Sequence, residues 1–134
     1  MVGVVIVTHG NIARDLVEVT ELIVGPCPSI TAVTIQPEEG IAEIAKKVES
    51  AIKAADKEKG VLILTDLFGG TPSNVSLSFL QDSKVEVISG VNLPMMIKIA
   101  THGENSELKE LARLARSAGK KNISMASEIM RKKV

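Results

Sequence analysis

Short runs of β-branched and aliphatic residues alternate along this chain with longer segments of helical period, and that alternation narrows the fold more than any other feature. Val2 to Val7, Ile30 to Ile35, Val61 to Leu64 and Val85 to Ile88 read as strands. The stretch from Asn11 to Val24 predicts a helix with Ile12, Leu16, Val19 and Ile23 on its inner face, ended by Gly25-Pro26-Cys27-Pro28. Glu39 to Ala55 predicts a second, with Ile41, Ile44, Val48 and Ile52 inward. Thr71-Pro72 opens a third, Thr71 as N-cap and Pro72 as the first helical residue. Pro94 starts a short helix through Ala100, and Leu108, Leu111, Ala112 and Ala115 mark another that Gly119 stops. The tail from Asn122 is ambiguous: Ile123 and Met125 alternate as in a strand, while Glu128 to Lys133 reads equally well as helix.

Strand–helix alternation implies right-handed crossovers and a mainly parallel sheet with helices on both faces. The expectation is an α/β, flavodoxin-like single domain over residues 1–134, with strand order 2-1-3-4. Phe68 and Phe79 are the only aromatic residues, so aliphatic side chains have to build the core. Sixteen basic residues balance sixteen acidic ones. Without net charge or stacking platforms, nucleic acid is a poor partner. The apolar N-terminal run is too short for a signal peptide or a spanning helix, which argues against membrane insertion. Cys27 is the single cysteine and fits a reduced, cytoplasmic setting. Neither a phosphate loop G-x-x-x-x-G-K-[ST] nor a G-x-G-x-x-G fingerprint nor a G-x-S-x-G elbow occurs, and two distant histidines give no metal-ligand spacing. No cofactor or metal is expected.

In such sheets the reactive crevice lies beyond the carboxyl ends of the strands where their order reverses, here between strands one and three. Thr8-His9-Gly10 follows the first of these and Thr65-Asp66-Leu67-Phe68-Gly69-Gly70-Thr71-Pro72 the second. If the two strands are neighbours, His9 and Asp66 face each other. A neutral imidazole can attack phosphorus through one ring nitrogen while a carboxylate on the other fixes its tautomer and orientation. Two glycines let backbone approach a ligand closely, and N–H groups at a helix start can hold phosphoryl oxygens beside the Thr71 hydroxyl. Phosphoryl transfer is mostly positioning and charge stabilisation, so no metal is required. Each feature also has a plainer use: a histidine bonded to a loop, a turn aspartate, turn glycines. His102, at the end of a short helix, reads as a solvated residue, Cys27 as an incidental thiol, Met95 and Met96 as core filler or interface, and the Lys120-Lys121 and Arg131–Lys133 clusters as solvated faces.

Three motifs in order, Val-Ile-Val-Thr-His-Gly, Asp-Leu-Phe-Gly-Gly-Thr-Pro-Ser-Asn and Gly-Val-Asn-Leu-Pro-Met, resemble the IIA component of mannose-type sugar phosphotransferase systems over nearly the whole chain. The resemblance implies a phosphoryl carrier that accepts from the phosphohistidine of HPr, itself charged through enzyme I from phosphoenolpyruvate, and donates to a histidine of a IIB component. It places the phosphorylated histidine at His9, its orienting aspartate at Asp66 and the loop around the phosphoryl group at Gly69, Gly70, Thr71 and Pro72. Thr8, Gly10, Leu67 and Phe68 adjoin these residues in sequence and are expected to bind the phosphoryl group with them. It also implies a homodimer exchanging a C-terminal strand drawn from the tail after Gly119. Some relatives continue into a IIB domain, which this sequence does not contain, and some carry Trp where Phe68 stands. Three other readings stay open: a regulatory phosphohistidine module without a transport partner, a phosphocarrier subunit of dihydroxyacetone kinase, which the Gly-Gly-Thr-Pro run argues against, and a non-catalytic flavodoxin-like binding module.

Overall fold

In the computed structural model, which describes residues 1–132, strands β1 (Gly3–His9), β2 (Ile30–Ile35), β3 (Val61–Thr65) and β4 (Val85–Ser89) form one parallel sheet in the order β2-β1-β3-β4. Helices α1 (Ile12–Val24), α2 (Ile41–Ala55), α3 (Thr71–Leu77), α4 (Leu93–His102), α5 (Leu108–Lys121) and α6 (Ala126–Lys132) complete the chain. The fold class and strand order are those expected.

The side-chain period of two divides the strands cleanly. Val4, Ile6, Leu62 and Leu64 point to a cluster shared with α1, α4 and α5. Val5, Val7, Val61 and Ile63 point to the opposite cluster, covered by α2 and α3 through Ile44, Val48 and Val75. Both faces are therefore dry, which is why these strands read as continuous apolar runs rather than alternating ones. Burial of β1 and β3 is almost complete from Val4 to Val7 and from Val61 to Leu64.

Several expectations need correction. On α1 the buried residues are Ala13 and Thr20, with Leu16 and Val17 packed against the core, whereas Ile12, Val19 and Ile23 are exposed. Small Ala13 and Thr20 allow α1 close to the sheet and to α4; Thr20 satisfies its hydroxyl by donating to the Leu16 carbonyl at 2.7 Å. Ile41, at the first position of α2, is likewise exposed. Thr71 is the first helical residue of α3 rather than its N-cap; Gly70 takes the cap position and no side chain caps it.

Gly119 does not stop α5, which continues to Lys121. A Cβ there would lie 2.9 Å from the Met95 Cε and 3.4 Å from the Asn92 amide, so the glycine marks close packing of α5 on the start of α4. Asn92 joins the two, accepting from the Met95 N–H as N-cap of α4 and donating to the Gly119 carbonyl. The tail forms no strand among the described residues. Ala126–Lys132 is helical, as its Ala, Glu, Met, Arg and Lys content favours, and Ile123 and Met125 lie in the connection before it. Lys133 and Val134 lie outside the described residues.

Gly3 fixes the start of β1 against α2. A Cβ built on it would fall 2.2 Å from the carbonyl oxygen of Ala55. Backbone cannot yield as a flexible side chain can, so Gly3→Ala is expected to destabilise the domain by about 1–3 kcal/mol in urea unfolding, with the slope of the transition unchanged.

Candidate active site

The strand alternation that sorts the core also sorts the residues at the end of β1. His9 continues the row of Val5 and Val7, on the α2 and α3 side, while Thr8 continues the row of Val4 and Ile6, towards α1. Parallel pairing aligns Val7 with Thr65, so the chain leaves β3 beside the end of β1 and delivers Asp66 next to His9. The crossover that separates these residues by 57 positions brings them into contact.

One carboxylate oxygen holds the histidine twice. Asp66 Oδ2 accepts the His9 backbone N–H at 3.1 Å and lies 2.9 Å from His9 Nδ1. With Nδ1 donating to the carboxylate, Nε2 carries the lone pair. The His9 side chain is 50% exposed and that of Asp66 15%. The other oxygen, Oδ1, is buried without a hydrogen-bond partner among the described residues.

Glycines shape the space around the ring. Gly10 adopts φ +52° and donates its N–H to the Ile35 carbonyl at 2.8 Å, turning the chain from β1 towards α1 beside the end of β2. Gly69 adopts φ +91°, closing the turn after Asp66, and the Gly70 N–H reaches the Leu67 carbonyl at 3.4 Å. A Cβ on Gly70 would lie 2.8 Å from His9 Cε1 and 3.2 Å from Nε2. The backbone at the start of α3 therefore packs on the very edge of the ring that bears the free nitrogen.

Leu67, Phe68, Gly69 and Thr71 are exposed around this edge. Thr8 is different: it is fully buried, and its Oγ1 accepts the Ala13 N–H at 2.7 Å. The structure thus brings His9, Gly10, Asp66, Gly69, Gly70 and Thr71 to one sheet end and turns the Thr8 hydroxyl away from it. His102 lies at the far end of the molecule, since the adjoining Gly103 lines a small cavity with Met1 and Cys27 at the amino ends of the strands. Beneath Asp66, Thr65 donates to the Ser89 hydroxyl at 2.9 Å, which lies 3.4 Å from that of Ser73, tying β3, β4 and α3 together. Ser73 and Ser89 belong to this support although nothing in their spacing singles them out in the sequence.

The family model described as the PTS system fructose IIA component matches residues 3–115. The chain belongs to the mannose-type IIA family of the phosphotransferase system. Among relatives of this IIA protein is the PTS system fructose-specific EIIA component of Bacillus subtilis, 32% identical over 133 residues that make up 98% of this chain and 91% of that one. The sorbose-specific EIIA component of Lacticaseibacillus casei is 33% identical over 109 residues, 81% of this chain and 78% of that one. A crystal structure of phosphotransferase system component EIIA from Streptococcus agalactiae superposes with a TM-score of 0.87 at 26% identity, covering 96% of this chain and 99% of that one. IIA proteins are phosphotransferase components, and membership gives this chain a phosphotransfer role in sugar uptake. No helix among the described residues is long and apolar enough to cross a membrane.

The Gly70 contact generates a test specific to this geometry. Gly70→Ala, in a domain that otherwise folds normally, is expected to displace the ring or cover Nε2. Ethoxycarbonylation of His9 by diethylpyrocarbonate, followed by mass spectrometry, should slow by roughly tenfold, the order expected for the loss of a supporting contact, with His102 unaffected.

Proposed function

We propose that this IIA protein carries a phosphoryl group on Nε2 of His9, taking it from phospho-HPr and passing it to a histidine of a IIB component. The observation that carries this reading is the 2.9 Å contact between Asp66 Oδ2 and His9 Nδ1, made at a half-exposed ring. It favours the tautomer in which Nε2 is nucleophilic. During attack the Nε2 lone pair forms the bond to phosphorus while the donor's N–P bond breaks and its electron pair returns to the donor imidazole. Positive charge then developing on the His9 ring is stabilised by the Asp66 carboxylate, which keeps its hydrogen bond to Nδ1–H throughout. Transfer onward reverses these steps.

The phosphoryl oxygens then face the turn at Gly69, Gly70 and Thr71, where the Thr71 hydroxyl is exposed and uncommitted to capping. Exposed Ile12, Leu67 and Phe68 flank the histidine. An apolar rim around an accessible nucleophile suits a protein surface rather than an enclosed small molecule. A homodimer fits the same reading. Among the described residues β4 has no strand on its outer edge, a groove of about 590 Å³ runs between β4 and α5, and Ile123, Met125 and Met130 are exposed nearby or on the following helix. A cytoplasmic setting belongs to the same proposal.

The test is transfer in vitro. After incubation with phosphoenolpyruvate, enzyme I and HPr, intact mass should show one acid-labile phosphoryl group per chain, absent in His9→Ala and retained in His102→Ala. Asp66→Asn should slow labelling by roughly 10- to 100-fold with the fold intact. Labelling that persists in His9→Ala rejects the assignment.

A further inference from the structure

We propose that Thr8 is a positioning residue for His9, acting as a remote cap of α1 that fixes the turn carrying the imidazole. Helix α1 lacks a local side-chain cap: Asn11 occupies the N-cap position with φ −97° and ψ 9° and makes no such bond. The acceptor comes instead from three residues earlier. Thr8 Oγ1, fully buried at the end of β1, takes the Ala13 N–H at 2.7 Å, and Ala13 is itself fully buried. An ordinary cap satisfies a helix end. This one also closes a short loop, Thr8 to Ala13, that contains His9.

The loop is held at four points, the outermost being Asn11 Oδ1, which accepts from Gln36 Nε2 at 3.4 Å. Thr8 ties its two ends, Gly10 N–H is fixed on the Ile35 carbonyl at 2.8 Å, and His9 N–H is fixed on Asp66 Oδ2 at 3.1 Å. For one carboxylate oxygen to accept from both the backbone and the ring of the same histidine, the backbone and χ torsions of His9 have to stay within a narrow range. Asp66 supplies the partner, but the loop supplies the range. Without the Thr8 tie, no hydrogen bond among the described residues joins the end of β1 to the start of α1 directly; what remains holds the turn to neighbouring elements, Gly10 to Ile35 at the end of β2, Asn11 to Gln36 beyond it and the His9 N–H to Asp66 after β3. His9 then gains torsional freedom, and the ring bond is the weaker of the two to keep, because a side chain loses its geometry before the strand does. Thr8 therefore acts through His9 without touching a phosphoryl group, in keeping with its complete burial.

The test reads the ring directly, so it does not depend on the proposed transfer reaction. In the unphosphorylated protein labelled with ¹⁵N-histidine, wild type and Thr8→Ser are expected to show a His9 ring protonated at Nδ1, with Nε2 as the unprotonated nitrogen. Thr8→Val keeps the shape and removes the acceptor; it should move both nitrogens towards the values of an averaging tautomer. Thr8→Ala removes the acceptor without the added methyl contact, should shift them in the same direction, and decides the matter if the valine variant does not fold. With phospho-HPr as donor, single-turnover labelling should slow by roughly tenfold in Thr8→Val and recover in Thr8→Ser, the order seen when a residue orienting a functional histidine is lost. Unchanged ring nitrogens in a folded Thr8→Val or Thr8→Ala, even with a lowered melting temperature, reduce Thr8 to a stabilising cap and overturn the proposal. The last arm rests on the proposed role of His9: if wild type takes no phosphoryl group, that role fails, while the nitrogen shifts still decide on Thr8.

Discussion

Oδ2 of Asp66 accepts from both the backbone and the ring of His9, and the usefulness of the whole sheet end hangs on that pair of bonds. The backbone bond sets where the histidine sits; the ring bond sets which nitrogen is free. Neither residue could do this alone. A histidine at a strand end without a partner would average its tautomers and rotamers, and an aspartate in a turn would be solvated or would bond to its own loop. The parallel order β2-β1-β3-β4 makes the pairing possible, because only neighbouring β1 and β3 release their chains side by side.

The same strand alternation that keeps both faces of the sheet dry also divides labour at the end of β1. The odd row, Val5, Val7 and His9, ends in a half-exposed imidazole beside α3. The even row, Val4, Ile6 and Thr8, ends in a buried hydroxyl bonded to α1. A shift of one residue in the register of β1 would exchange these roles and bury the imidazole. Register therefore decides which side chain the end of β1 presents to the surface. It is fixed by apolar side chains well away from the imidazole.

Sequence patterning went far with this chain because strand composition and helix punctuation agree with the fold nearly everywhere. All four strands fall within two residues of where β-branched runs put them, and the pairing of His9 with Asp66 followed from the strand order alone. What escaped has physical reasons. Apolar periodicity on α1 marked Ile12, Val19 and Ile23 as inward, yet the face that meets the sheet is built from Ala13, Leu16, Val17 and Thr20. Small residues carry close packing without carrying a hydrophobic signal, and α1 keeps a second, exposed apolar face. Gly119 looked like a stop because glycine usually ends helices; its reason lies in the contact with Met95 and Asn92, which no local pattern reveals. The Thr8 hydroxyl was grouped with the phosphoryl ligands by its nearness in sequence, and only the strand geometry shows which way it points.

In the proposed carrier, Asp66 reserves Nδ1 of His9 and leaves Nε2 for phosphorus. The most direct measurement is ³¹P–¹⁵N coupling in the phosphorylated protein labelled with ¹⁵N-histidine. Phosphorus is expected to couple to Nε2 of His9, with Nδ1 still bearing a slowly exchanging proton. Phosphorus coupled to Nδ1 would mean that the carboxylate contact is broken in the reactive state, and would contradict the proposal.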